Sequence, residues 1–68
     1  MNITLNGKTE TLRGAPTLAD LIASMGKDPT GRGLAVAVNG EVVPRSRWPS
    51  QRVSDADRIE LLEAVQGG

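Results

Sequence analysis

Apolar and polar side chains alternate at the start of the chain, where Ile3 and Leu5 flank Thr4, and the alternation resumes in a threonine-rich run over residues 8–12. A period of two puts successive side chains on opposite faces of a strand, so both runs read as strands. Between them stands Asn6-Gly7. Both central positions of the tight two-residue hairpin turn take positive φ, which Asn and Gly tolerate best, so the segment predicts a β-hairpin.

The period then lengthens. Leu18, Leu21, Ile22 and Met25 recur at intervals of three and four, one face of a helix. Thr17 stands at the N-cap position with Asp20 three residues on, so hydroxyl and carboxylate can each satisfy a backbone N–H left over at the helix start. Gly26 supplies the left-handed residue that ends the helix. Residues 27–33, with Pro29, Gly31 and Gly33, have turn composition and no periodicity.

Leu34-Ala35-Val36-Ala37-Val38 is apolar on both faces, as expected of a strand flanked by neighbours. Asn39-Gly40 reverses it into Glu41-Val42-Val43, which Pro44 cuts off, giving a second hairpin. Residues 45–57 form an irregular crossover containing Trp48-Pro49 and the polar turn Asp55-Ala56-Asp57, and residues 58–65 read as a last strand. Hairpin, helix, hairpin, crossover and strand imply an α+β domain in which the helix covers one face of a mixed sheet of about five strands. The connection rules favour placing the last strand between the hairpins, parallel to the first; a two-layer arrangement with that strand on an edge is the alternative. The favoured arrangement is the β-grasp, or ubiquitin-like, architecture. Its expected core is Ile3, Leu5, Leu18, Leu21, Ile22, Met25, Val36, Val38, Ile59 and Leu61.

Leu61 and Leu62 are adjacent, so only one of them can face the helix. With Ile59 and Leu61 inward, Leu62 lies on the open sheet face, as a docking contact or as an isolated surface leucine.

Composition narrows the function. A chain of 68 residues buries only about 60% of its unfolded surface, too little to enclose a large enzyme cleft. It has neither cysteine nor histidine, which removes thiolate chemistry and the usual general base and metal ligand. Asp55 and Asp57 offer too few oxygens for a divalent cation, and Gly31-Arg32-Gly33 lacks the lysine and strand-to-helix setting of a phosphate loop. Eight basic residues balance eight acidic ones. Arg45, Arg47 and Arg52 surround a lone Trp48, which makes no stacking platform for nucleic acid; Trp48 is expected to pack under the crossover, with Arg45 and Arg47 as candidate partner contacts. With no membrane-spanning run and no leader-like segment, a cytoplasmic location is expected.

The chain ends in Gly67-Gly68 directly after the last strand. Two terminal glycines occur by chance in about 0.5% of chains, given glycine usage near 7%, so the pair gains meaning only beside a matching fold.

Residues 38–48, Val-Asn-Gly-Glu-Val-Val-Pro-Arg-Ser-Arg-Trp, together with Asp57-Arg58-Ile59-Glu60 and the diglycine, resemble the sulfur-carrier proteins of thiamine biosynthesis, and the resemblance spans the whole chain. Two departures are Ala56, where such proteins commonly carry glycine, and Gln66, where a small residue is usual. The resemblance implies a β-grasp domain over residues 1–66 and a flexible tail at 67–68. It implies a non-enzymatic carrier, binding no cofactor, whose Gly68 carboxylate is adenylated by a ThiF-type partner that consumes ATP. A sulfur-donor protein then supplies sulfur, and the resulting thiocarboxylate delivers it to thiazole synthase of the ThiG type. Gly67 is the slim approach to the reacting group. The small subunit of molybdopterin synthase, with the same tail chemistry, and a ubiquitin-like modifier or interaction module remain alternatives at this point.

Overall fold

The computed structural model describes residues 1–28, 30 and 32–64. Strand β1 covers Asn2–Leu5, β2 Lys8–Thr11, helix α1 Leu18–Ser24, β3 Leu34–Val38, β4 Glu41–Val43 and β5 Arg58–Glu63. The five strands form one sheet in the order β2-β1-β5-β3-β4. β5 runs parallel to β1 and antiparallel to β3, so the last strand is central, and the edge-strand alternative is excluded. The chain beyond Glu63 therefore starts from the middle of the sheet.

Helix α1 is held at both ends by local chemistry. The Asp20 N–H donates to Thr17 Oγ1 at 3.1 Å and the Thr17 N–H donates to Asp20 Oδ2 at 3.2 Å, completing the reciprocal cap. The remaining free N–H groups of the first turn are met by the crossover: Leu18 donates to the Gln51 carbonyl and Ala19 to that of Trp48. At the far end Gly26, at φ +76°, donates to Ala23 while Lys27 donates to Ile22, the paired bonds of a left-handed helix stop.

The core consists of Ile3, Leu18, Leu21, Ile22, Val36, Val43, Trp48, Val53, Ile59 and Leu61. Leu5, Met25 and Val38, expected inside, are half-buried at its margin. Val43, Trp48 and Val53 take their places because the crossover is folded against the helix start. It opens with a 3-10 turn over Arg45–Arg47 and is pinned by the Val53 N–H donating to Pro16. Trp48 is fully buried, as expected, and its indole N–H donates to the Val43 carbonyl at 2.9 Å.

The polar turn before β5 uses its carboxylates internally. Asp55 Oδ1 accepts from the Asn2 N–H, while Asp57 Oδ2 accepts from Ser54 and Oδ1 from the Asn39 side chain. Ala56, standing where related carriers commonly have glycine, has φ +68°.

Candidate functional site

The alternation in β5 decides which leucine is available. Ile59 and Leu61 are buried against the helix, and Leu62 points the other way with 68% of its surface exposed. Leu62 lies opposite Ala35 on β3, and Ala37, two residues along, lies opposite Val42 on β4. Val42 is 76% exposed. Val42, Ala37, Ala35 and Leu62 thus form an apolar stripe across the open sheet face, extending the single leucine expected from the sequence. Val42 went unnoticed in the sequence although Val42-Val43 poses the same question as Leu61-Leu62: two adjacent apolar residues on a strand cannot share a face.

Arg45 joins this surface. With Leu34, Ala35, Leu62 and Glu63 it walls a depression of about 470 Å³ at the end of β5. Arg47 borders the Val42 end of the stripe instead. It lines a separate hollow with Val38, Glu41, Val42 and Gln51, since residues two apart on a 3-10 turn point in different directions. On the other flank of Leu62 is a third depression, walled by Asn6, Gly7, Arg58 and Glu60. Leu62 is a ridge between two hollows, with a cation beside each.

β5 is clamped from both sides by the asparagines of the hairpin turns. Asn6, at φ +49°, accepts the Leu61 N–H on its side-chain oxygen at 2.8 Å and donates its side-chain N–H to the Leu61 carbonyl at 3.3 Å. Asn39, at φ +52°, donates its backbone N–H to the Arg58 carbonyl at 2.8 Å and accepts the Arg58 N–H on its side-chain oxygen at 2.9 Å. The strand leading to the tail is fixed in register by four such bonds. At its end the Ala64 N–H donates to the Gly33 carbonyl at 2.7 Å, and Lys27 Nζ lies 2.6 Å from Glu63 Oε1. Gly67 and Gly68 lie outside the described residues. Among the described residues no group of His, Cys, Asp and Glu could hold a metal ion, and no helix is long and apolar enough to cross a membrane.

The family model of the ThiS family matches residues 3–68. The chain belongs to the ThiS family. It is a sulfur carrier protein of thiamine biosynthesis, a carrier that is not itself catalytic. The ThiS-family chain is 31% identical over 68 residues to the sulfur carrier protein ThiS of Escherichia coli K12, covering all of both chains. It is also 31% identical over its whole length to a thiazole synthase of Paramagnetospirillum magneticum, of which it spans 20%. The crystal structure of the thiamine biosynthesis protein ThiS from Geobacter metallireducens superposes with a TM-score of 0.82, at 31% identity and full coverage of both chains. A solution structure of a thiamine biosynthesis protein from the same organism gives 0.81, at 31% identity, covering this chain fully and 88% of that one. The β-grasp fold expected from the pattern of strands is therefore the fold of this family.

Proposed function

We propose that the Gly68 carboxylate is the sulfur-bearing group and that the folded body presents it to partner enzymes. The observation that carries this reading is the reach of the family match to residue 68, which takes in the diglycine following the central strand. A carboxylate with pKa near 3.5 is an anion at neutral pH and resists nucleophilic attack, so it must be activated. A ThiF-type enzyme supplies the activation: a carboxylate oxygen attacks the α-phosphorus of ATP, pyrophosphate leaves, and an acyl adenylate forms on Gly68. Sulfide-level sulfur, supplied as hydrosulfide by a sulfur-donor protein, attacks the acyl carbon; the acyl C–O bond to AMP breaks, AMP and a proton leave, and a thiocarboxylate remains. The carrier contributes the reacting carbon and no catalytic side chain. Gly67 and Gly68, lacking Cβ, pass through a narrow channel and adopt backbone angles closed to other residues. Residues 1–66 act as the body and 67–68 as the tail, and a need for ATP supports a cytoplasmic location.

The receiving enzyme is thiazole synthase. The likeness of the whole chain to one fifth of a protein of that name favours this destination over molybdopterin synthesis, because it puts a carrier-like segment on such an enzyme. The stripe of Leu62 and Val42, with Arg45 at its end, is the docking surface: apolar side chains exposed on a rigid sheet lose water on contact at no folding cost.

The test is intact mass. Incubation with the adenylating enzyme, ATP and a sulfur source replaces one oxygen by sulfur at Gly68, and subsequent addition of thiazole synthase with its substrates returns the original mass. An unchanged mass under conditions where a known ThiS protein is converted would refute the carrier chemistry. Deleting Gly68 abolishes conversion and leaves the melting curve unchanged.

A further inference from the structure

Hydrogen-bond parity along β5 leaves one backbone position unpaired beside the tail. On the β3 side, Arg58 pairs with Asn39 and Ala64 donates to Gly33, so the even-numbered residues of β5 turn their N–H and C=O toward β3. The odd-numbered residues turn theirs toward β1. Asn6 donates its backbone N–H to the Ile59 carbonyl at 2.9 Å, and its side chain takes both backbone groups of Leu61. Glu63 is the next odd position. β1 has already turned away at Asn6-Gly7, and no described residue donates to the Glu63 carbonyl or accepts from its N–H. A short open strand edge thus begins where the Asn6 side chain ends, five residues before Gly68.

We propose that this edge is a docking site for an extended segment of the adenylating partner, which adds as a strand beside β5 in line with β1. This rests on the reading of Gly68 as the adenylated group, and it specifies how the partner grips the tail. A strand added here bonds to the Glu63 N–H and carbonyl through backbone groups that tolerate any sequence, while apolar contact with Leu62 supplies recognition. The hollow walled by Asn6, Gly7, Arg58 and Glu60 lies on the open face next to this edge and gives the incoming strand room for a side chain against Leu62. Asn6 has two roles in this arrangement: it satisfies Leu61 and it stops the native ladder one step short of Glu63. The occupant is a partner strand rather than a second copy of this chain, because Glu63 stands only five residues before Gly68, the group on which the adenylating enzyme acts.

Glu63→Pro tests the inference, because it removes the free N–H without costing an internal ladder bond, as proline is tolerated on an edge. It also breaks the ion pair with Lys27, so Lys27→Ala, which breaks the same pair and keeps the N–H, is the control. With a ThiF-type enzyme and ATP, Glu63→Pro raises the KM for adenylation about tenfold while Lys27→Ala stays at the wild-type value. Equal KM for all three proteins overturns the edge site and leaves the Gly68 chemistry standing; an inert wild-type carrier overturns both. Amide exchange on the wild-type protein makes the test independent of how the proline variant folds. The Glu63 N–H exchanges freely in the carrier alone and slows about tenfold in the complex. No slowing in a saturated complex, or protection in the carrier alone with a dimer in sedimentation equilibrium, refutes the assignment.

Discussion

The side chain of Asn6 substitutes for a stretch of backbone opposite Leu61. In a parallel ladder the Leu61 N–H would donate to the carbonyl of residue 6 and the Leu61 carbonyl would accept from residue 8; here the Asn6 side-chain oxygen and nitrogen fill both places, at 2.8 and 3.3 Å. One residue therefore turns the hairpin at φ +49° and completes the pairing of the central strand.

Replacing Asn6 by glycine separates these roles, since glycine keeps the positive φ and loses the side chain. The expected cost is about 1–2 kcal/mol, two net hydrogen bonds with one partly desolvated strand left unpaired. Urea denaturation followed by fluorescence measures it, with the buried Trp48, the chain's single aromatic residue, as reporter. A change below about 0.3 kcal/mol would mean that water replaces the amide without loss.

Ala56 predicts the opposite sign. Its φ of +68° lies in the left-handed region, which costs a residue with Cβ about 1–2 kcal/mol. Glycine removes that strain and gives back part of the gain through a freer unfolded chain. Ala56→Gly should therefore stabilise by about 0.5–1 kcal/mol, visible as a higher melting temperature.

Trp48→Phe tests the floor of the crossover. The ring remains, but the Val43 carbonyl loses the indole N–H at 2.9 Å in a buried setting. An acceptor left unsatisfied inside costs about 1–3 kcal/mol, and a small domain with marginal stability has little to spare. Circular dichroism melting is the readout, because the substitution removes the fluorophore.

Asp28 sets a small acid dependence. Hydrogen bonds from the Thr30 backbone and then side chain, helped by Arg32, hold its carboxyl below the ordinary value of 3.8. A lowered folded pKa contributes stability that is present above pH 3.8 and is lost as pH falls through the folded value. The stability difference between wild type and Asp28→Asn should accordingly shrink on acidification below that pH. Because Asp28 is fully exposed, solvent screening keeps the contribution small at every pH; it is present at neutral pH and vanishes only in the strongly acid window.

The parts of this molecule legible in the sequence are those encoded by neighbours. Asn6-Gly7 and Asn39-Gly40 give the hairpins, Thr17 with Asp20 starts the helix, Gly26 stops it, and the alternation through Ile59 and Leu61 puts Leu62 outside. The burial of Trp48 was legible, but the core positions at Val43 and Val53 were less so, because they close under a crossover lying against a helix start some thirty residues earlier, where the Trp48 and Gln51 carbonyls meet the Ala19 and Leu18 N–H groups. The asparagine clamps escaped for a different reason. Turn chemistry accounts fully for an Asn before Gly, so nothing in the sequence marks a second role for its side chain. Arg45 and Arg47 show the limit of proximity: two residues apart in the chain, they line different hollows.

Leu62→Asp separates the body of the carrier from its use. Leu61, its neighbour, is buried in the core, and Leu61→Asp would place an unpaired charge there and unfold the domain. Leu62 is 68% exposed, so the same substitution one position on should change stability by no more than about 0.5 kcal/mol. Its effect falls on encounter. A carboxylate at the β5 end of the apolar stripe must be desolvated at the interface without a partner, which should weaken adenylation by at least about tenfold in kcat/KM. The rise should appear in KM, with the maximal rate preserved, because Gly68 and its approach are untouched. Steady-state pyrophosphate release with the adenylating enzyme gives both parameters; a lowered kcat at unchanged KM would place Leu62 outside the docking surface and shift attention to Arg45 and Val42.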